Sequence, residues 1–262
     1  MDYDITKYDR PSVAADIVVF TVRKSSGESY RHLAKPVLSV LLIKRNDEPF
    51  DGMLSLPGGF CCRQETIEET AFRKLKEKTG IDCPPLSLLC NLSRFGRDPR
   101  GWIISCCYWT VIEYTSAAIE KTAEWYEVAL DEKDGKYTLV LTNDNGKEYV
   151  SEVRIKSTNE LYNQSAEVDI SRNGLAFDHA EILVNALLKL RSSLEKPYAA
   201  FRLLPEKFTL TELQQVYEAI LGKKLIMANF RRKTAQYVME TGEIEGGAGH
   251  RPSKLFTIKI SE

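Results

Sequence analysis

Two clusters of side chains in this sequence have types and spacing suited to chemistry. The first lies in LPGGFCCRQETIEETAFRKLKEKTGI, residues 56–81. Lys74, Glu77 and Lys78 stand at i, i+3 and i+4, which places them on one face of a helix. A lysine ammonium offers three donors and no acceptor, so it cannot ligate a divalent cation that wants oxygen. It can pair with phosphate oxygens, although two lysines on a solvated face would look the same in sequence. Glu65 and Arg73 lie on the N-terminal side of that face, and the RFGRDPRGW stretch adds Arg94, Arg97 and Arg100. By composition alone the arginine stretch is either a basic loop or an anion-binding one. The second cluster is Asn229, Arg231, Arg232 and Lys233, followed by Arg251 and Lys254. Its chemistry would suit contacts to DNA phosphates and guanine edges, although a solvated basic face would look the same in sequence.

The elements that must position the first cluster can be read from apolar periodicity. DIVVFTV, VLSVLLIKR and WIISCCYWTVIEY read as strands. Between the last two, Ile67, Ala71 and Leu75 recur at four-residue spacing with Phe72 beside them, and Gly80 closes a helix. Around 131–158 the pattern is a hairpin turning at Asp144-Asn145-Gly146, part of an insertion at about 131–170 without evident chemistry. DHAEILVNALLKLRSSL then forms an amphipathic helix, with Asp178 as cap, Glu181 in capping-box spacing, and Ile182, Leu183, Ala186, Leu187, Leu190 and Leu194 as its stripe. Lys196-Pro197 marks a domain boundary.

After that boundary, Thr209 and Glu212 open a helix with Leu213, Val216, Tyr217 and Ile220 facing inward, and Gly222 ends it. A second helix is expected from about Asn229, with Phe230 as core anchor and Arg231–Lys233 in its first turn. Cations there oppose the helix dipole, which favours a binding role over a stabilising one. A glycine-rich basic segment and the strand LFTIKI complete the order helix, turn, basic helix, hairpin of a winged helix-turn-helix. The fold class expected for the whole chain is α+β.

Composition excludes several alternatives. The chain has 262 residues, 43% of them hydrophobic and 28% charged, which is incompatible with wholesale disorder. No apolar run reaches the roughly 18–20 residues of a membrane span, and MDYDITKYDR lacks the apolar core of a secretion signal. A cytoplasmic protein is expected. The six cysteines show no CxxC spacing and read as small buried hydrophobes, and the histidines at 32, 179 and 250 are too scattered for a zinc site. Net charge is -1 overall, but residues 201–262 hold 10 basic against 7 acidic side chains, a basic tail domain on an acidic body. That asymmetry suits a polyanionic partner.

Residues 56–81 resemble the Nudix box, G-x5-E-x7-R-E-U-x-E-E-x-G-U, with Gly59, Glu65, Arg73, Leu75, Glu77, Gly80 and Ile81 at the required positions. The departures are Lys74 and Lys78, where the family has metal-binding glutamates. The resemblance implies a Nudix α/β/α sandwich over roughly residues 10–195. In it Glu65 and Arg73 brace the loop against the helix, glycines 58 and 59 permit a tight turn, and Glu77 is a vestige of the metal site. Stretches similar to RDPRG occur in Nudix proteins acting on ADP-ribose-like molecules.

With LLPEKFTLTELQQVYEAILGKKL…NFRRK after an FDHAEIL helix, the whole is similar to the NrtR-like (Nudix-related transcriptional regulator) family. That resemblance implies residues 1–196 as a catalytically degenerate Nudix sensor and 197–262 as a winged helix-turn-helix binding operator DNA, as a homodimer. The regulated genes would concern NAD or sugar metabolism. The effector, ADP-ribose-like or another nucleotide sugar or sugar, would meet Gly58, Gly59, Lys74, Lys78, Arg94, Arg97 and Arg100. The DNA would meet Asn229, Arg231, Arg232, Lys233, Arg251 and Lys254. No cofactor is required on this reading. The alternative is a Nudix hydrolase of ADP-ribose or another nucleoside diphosphate derivative, which would need Mg²⁺.

Overall fold

A computed structural model describes residues 4–25, 35–82, 84–114, 119–134, 136–158, 163–168, 174–196, 198–246 and 252–259. The strands are β1 (Ser12–Lys24), β2 (Pro36–Lys44), β3 (Leu54–Ser55), β4 (Gly58–Phe60), β5 (Ser87–Leu92), β6 (Ile103–Val111), β7 (Ala123–Lys133), β8 (Lys136–Thr142), β9 (Glu148–Thr158), β10 (Asn163–Val168), β11 (Val238–Glu245) and β12 (Ser253–Ile258). The helices are α1 (Ile67–Thr79), α2 (His179–Ser193), α3 (Tyr198–Phe201), α4 (Leu210–Leu221) and α5 (Met227–Thr234).

The first ten strands form one sheet in the order β10-β9-β8-β7-β2-β1-β6-β5, with β3 on β2 and β4 on β1. β1 and β6 are parallel. β1 is apolar without alternation because both of its faces are covered. Ala15, Ile17 and Val19 pack with Ala71 and Leu75 of α1, while Val18 and Phe20 pack with Ile182, Leu183, Leu187 and Leu190 of α2. This is the expected three-layer sandwich. The hairpin at Asp144-Asn145-Gly146 joins β8 to β9, and its turn is held by the Asn143 side chain, which accepts from the Asn145 and Lys147 backbone N–H groups. β8, β9 and β10 extend the same sheet beyond β7.

α4, α5 and the β11–β12 hairpin follow in winged-helix order. Their core is continuous with that of the sandwich: Phe201, Phe208, Leu213, Tyr217, Ile220 and Phe230 belong to the same buried cluster as Leu187, Leu190 and Leu194. Arg191 fixes this junction by donating to the Ile220 carbonyl of α4 at 3.1 Å and the Leu130 carbonyl of β7 at 3.1 Å. No described helix is long and apolar enough to cross a membrane.

Two local expectations are corrected. Asp178 makes no side-chain cap to α2, and the Glu181 side chain does not complete a box, because both carboxylates face arginines of the 94–100 loop. α5 begins at Met227, two residues before the expected start, so Arg231, Arg232 and Lys233 occupy its last turn. There they favour the helix dipole, and the dipole argument for their binding role falls away.

Leu190→Ala, at a fully buried position in the shared cluster, should cost about 2–5 kcal/mol. Since the cluster spans both parts of the chain, fluorescence from Trp109 and Trp125 in the sheet and helical circular dichroism should shift together in urea. A separate transition left unshifted in the variant would contradict a single shared core.

Candidate functional site

α1 is held at both ends by sequence-local features. Thr66 and Glu69 form a complete capping box, and Gly80 closes the helix at φ 76°. Within this frame Arg73 clamps Glu65 through two contacts, at 2.9 and 2.5 Å, and Glu65 also accepts from the Cys62 backbone N–H at 2.6 Å and the Thr70 hydroxyl at 2.9 Å. Hydrogen bonding from Arg73, then from Cys62, holds the Glu65 carboxyl well below the usual carboxylate range. Glu77 accepts from Lys74 Nζ at 2.8 Å and from Arg73 at 3.2 Å. The Lys74 contact is the main cause of its lowered pKa. A divalent cation does not fit here: the oxygens of Glu77 already face cations of the chain, and its helical neighbours are themselves ammonium groups. Among the described residues no group of His, Cys, Asp or Glu side chains is arranged to hold a metal ion.

A cavity opens beside this helix between β4, the 44–48 segment, the 97–100 loop and the start of α2. Gly58, Gly59, Lys78, Arg97 and Arg100 line it, together with Arg45, Phe60, Phe177, Asp16 and His179. Lys74 lies outside its lining: its stem covers Gly59 and its head turns to Glu77. Gly58 and Gly59 do not make the expected tight turn but lie in β4, opposite Asp16 and Ala15 of β1. What they supply is closeness. A Cβ at Gly58 would stand 2.4 Å from the Ala15 carbonyl oxygen, and one at Gly59 would stand 2.8 Å from Lys74 Cδ.

The basic loop is held by the first residues of α2. Arg97 makes two 2.6 Å contacts with Asp178, and the side chains are 4% and 2% exposed, so this pair is sealed from water. Burial works against the charge on Arg97, but Asp178 outweighs it and raises the Arg97 pKa. Arg94 forks onto both oxygens of Glu181. Arg100 pairs with Asp98 at 2.7 Å and lies 4.6 Å from the centroid of the Phe177 ring, which Arg45 faces at 4.9 Å. Of the three loop arginines, Arg97 and Arg100 therefore line the cavity, while Arg94 is turned to α2.

Sequence reasoning missed Arg45, Phe177, Asp16 and His179. FDHA was read there as the start of a helix, and only a positive-φ residue, Phe177 at φ 53°, marks the place where the chain turns to aim these side chains. His179 Nδ1 accepts the Leu56 backbone N–H at 2.9 Å, so the ring proton sits on Nε2, which faces Asp16 Oδ1 at 3.6 Å. Ser105 donates to the other Asp16 oxygen.

The second cluster occupies the opposite part of the chain. On α5 Phe230 and Thr234 are buried, whereas Asn229, Arg231, Arg232 and Lys233 are all exposed. Lys254 of β12 is exposed but pairs with Glu240 of β11 at 2.8 Å. Arg251 lies outside the described residues.

The buried imidazole makes stability depend on pH. Burial lowers the His179 pKa from 6.5, with Asp16 opposing. The unfolded chain therefore takes up the proton first, and this contribution is complete above about pH 6.5 and is lost as pH falls through the folded-state pKa. Between pH 7 and 5 the wild type should lose stability more steeply than His179→Asn, by up to about 1.4 kcal/mol per pH unit. Parallel urea-midpoint profiles for the two would contradict a buried neutral His179.

Residues 15–165 match the NUDIX domain family, and residues 200–258 match the NrtR DNA-binding winged helix domain. Over 99% of its length the chain is 28% identical to the ADPR responsive transcriptional repressor NtrR of Acinetobacter baylyi, covering 87% of that protein. A MutT/nudix family protein from Enterococcus faecalis superposes with a TM-score of 0.72 at 26% identity, over 98% of this chain and 90% of that one. NrtR of Shewanella oneidensis, in a structure complexed with a 27mer DNA, gives a TM-score of 0.61 at 28% identity, over 94% and 93% of the two chains. Taken with the sandwich, the box and the terminal winged helix, these matches show that the chain belongs to the Nudix family, in its NrtR-like branch, where a Nudix domain is joined to a DNA-binding winged helix.

Proposed function

We propose that this chain is a transcription regulator in which residues 1–196 bind an ADP-ribose-like effector without hydrolysing it and residues 197–262 bind operator DNA as a homodimer. The observation that carries this reading is the neutralised box: Glu77, which the hydrolase pattern would use for metal, is bonded to Lys74 and Arg73. The repressor from Acinetobacter baylyi is named as ADPR responsive, which supports that effector class. The two phosphates of such a ligand suit a cavity lined by Lys78, Arg45 and Arg100, and Phe177 and Phe60 offer its base or sugar an apolar wall. Arg97, sealed against Asp178, shapes that wall from behind.

Binding of ADP-ribose should survive excess chelator in calorimetry and weaken about tenfold in Lys78→Ala or Arg100→Ala, the scale of losing one charge-assisted contact. AMP release with Mg²⁺ or Mn²⁺ should be absent. Turnover in the usual enzyme range of about 1–10³ s⁻¹, or binding that requires the metal, would establish the hydrolase instead.

For the DNA, Arg231 or Arg232 reads a base in the major groove and the remaining cations of α5 hold phosphates. A single winged helix presents few such groups, so two-fold-related half-sites are expected. On DNA selected by the full-length protein, each lost phosphate contact should lower the salt slope by about one, and loss of the base-reading arginine should cost about 1–3 kcal/mol on the operator alone. Full-strength specific binding by Arg231→Ala/Arg232→Ala/Lys233→Ala would reject α5 as the recognition helix.

A further inference from the structure

We infer that Ile226 and Met227 form an apolar patch that reads thymine methyl groups in the operator, an assignment that rests on the DNA-binding reading above and gives it a base preference. The protein starts its other capped helices in a different way. α1 and α4 each begin with a threonine whose hydroxyl and third-residue glutamate close a full capping box. α5 begins with Ile226 at the cap position and no side-chain cap at all. Isoleucine is among the poorest residues for this position. It is not compensated by burial either, since Ile226 is 70% exposed and Met227 37% exposed. The residue that serves the core at this junction is the preceding one, Leu225, which packs against the main cluster. A position that breaks the capping rule and exposes an apolar side chain, with no return in the fold, is where function is expected.

The geometry says what the patch faces. Leu225 is pinned by α4: Glu218 accepts its N–H at 3.0 Å and Gln214 donates to its carbonyl at 3.0 Å. The start of α5 is thereby fixed to the body of the domain, with its inward face spent on Phe230 and Thr234. The outward face is apolar at residues 226–228 and cationic at 231–233. A surface with methyl and thioether groups at one end and guanidinium and ammonium groups at the other is complementary to a major groove. There the thymine C5-methyl is the one apolar group on any base edge, and guanine and phosphate take the cations. Recognition helices place their N-terminal residues against the bases, which puts Ile226 and Met227 deepest in the groove.

The test uses the full-length protein and DNA fragments it selects from a random pool. Each thymine of the selected half-site is replaced in turn by uracil, which removes only the C5-methyl. One or two positions should lose about four-fold in affinity, the factor that corresponds to about 0.8 kcal/mol for one buried methyl. In Ile226→Ser, which supplies a favourable cap and keeps the helix, and in Met227→Gln, that uracil penalty should vanish while salt dependence stays unchanged. Uracil tolerated within error at every position, or a penalty that persists undiminished in both variants, would overturn the assignment while leaving DNA binding intact. Selection that enriches no sequence even at low salt would overturn the DNA-binding reading itself. If instead every thymine is insensitive and Ile226→Ser changes the mass of the free protein in light scattering, the patch is a protein contact and the assignment is wrong.

Discussion

The pocket depends on one ion pair that water cannot reach. Arg97 and Asp178 lie 81 residues apart in sequence and meet through two 2.6 Å contacts at nearly complete burial. Such a pair adds little net stability over an apolar pair of the same shape, but removing one partner strands the other and costs about 3–5 kcal/mol. Its value is therefore positional. It clamps the arginine loop onto the first turn of α2, and Arg94 repeats the clamp one helical turn later on Glu181. Asp178 and Glu181 also place negative charge at the positive end of α2, so the helix is electrostatically matched although no side chain caps it. Phe177 and His179, the residues on either side of Asp178, are thereby aimed at the cavity and at Leu56.

The same helix reaches the winged domain. Its first turn carries the clamp, its middle is buried in the sheet, and its last turn carries Arg191, which ties β7 to the C-terminal end of α4. A continuous apolar cluster runs beneath, from Val18 and Phe20 through Leu187 and Leu190 to Tyr217 and Phe230. A close-packed core does not deform smoothly. The helix whose first turn holds the arginine loop is thus bonded at its other end to the first helix of the winged domain.

Much of this was legible in sequence, and most of what was not depends on partners distant in the chain. Ala71 and Leu75 gave α1 by period, Thr209 with Glu212 gave α4, and Asp144-Asn145-Gly146 gave the β8–β9 turn, since each signal is completed within a few residues. Asp178 and Glu181 matched the spacing of a capping box, yet their carboxylates are claimed by arginines more than 80 residues away, a competition no local window contains. The start of α5 was missed because Ile226 carries no cap signal. Arg45 and Phe177 are brought together only by the fold, and His179, too far in sequence from the other histidines to suggest a zinc site, becomes part of the cavity through Leu56 and Asp16.

The two lysines of the box are not equivalent, and the difference follows from geometry one residue at a time. Position 74 faces Gly59 and Glu77, so its charge is spent inside the helix and its stem fills the space a Cβ at 59 would need. Position 78, one turn on, lines the cavity. Exchanging both for carboxylates would thus do two separate things. At 74 it would replace an ion pair by repulsion against Glu77 and leave that carboxylate to Arg73. At 78 it would turn a cationic wall of the cavity anionic. Restoring the acidic pattern of a metal site is therefore not a reversal of two substitutions, because the surrounding residues, Gly59, Arg73 and the arginines across the cavity, are arranged around a helix face that is already cationic.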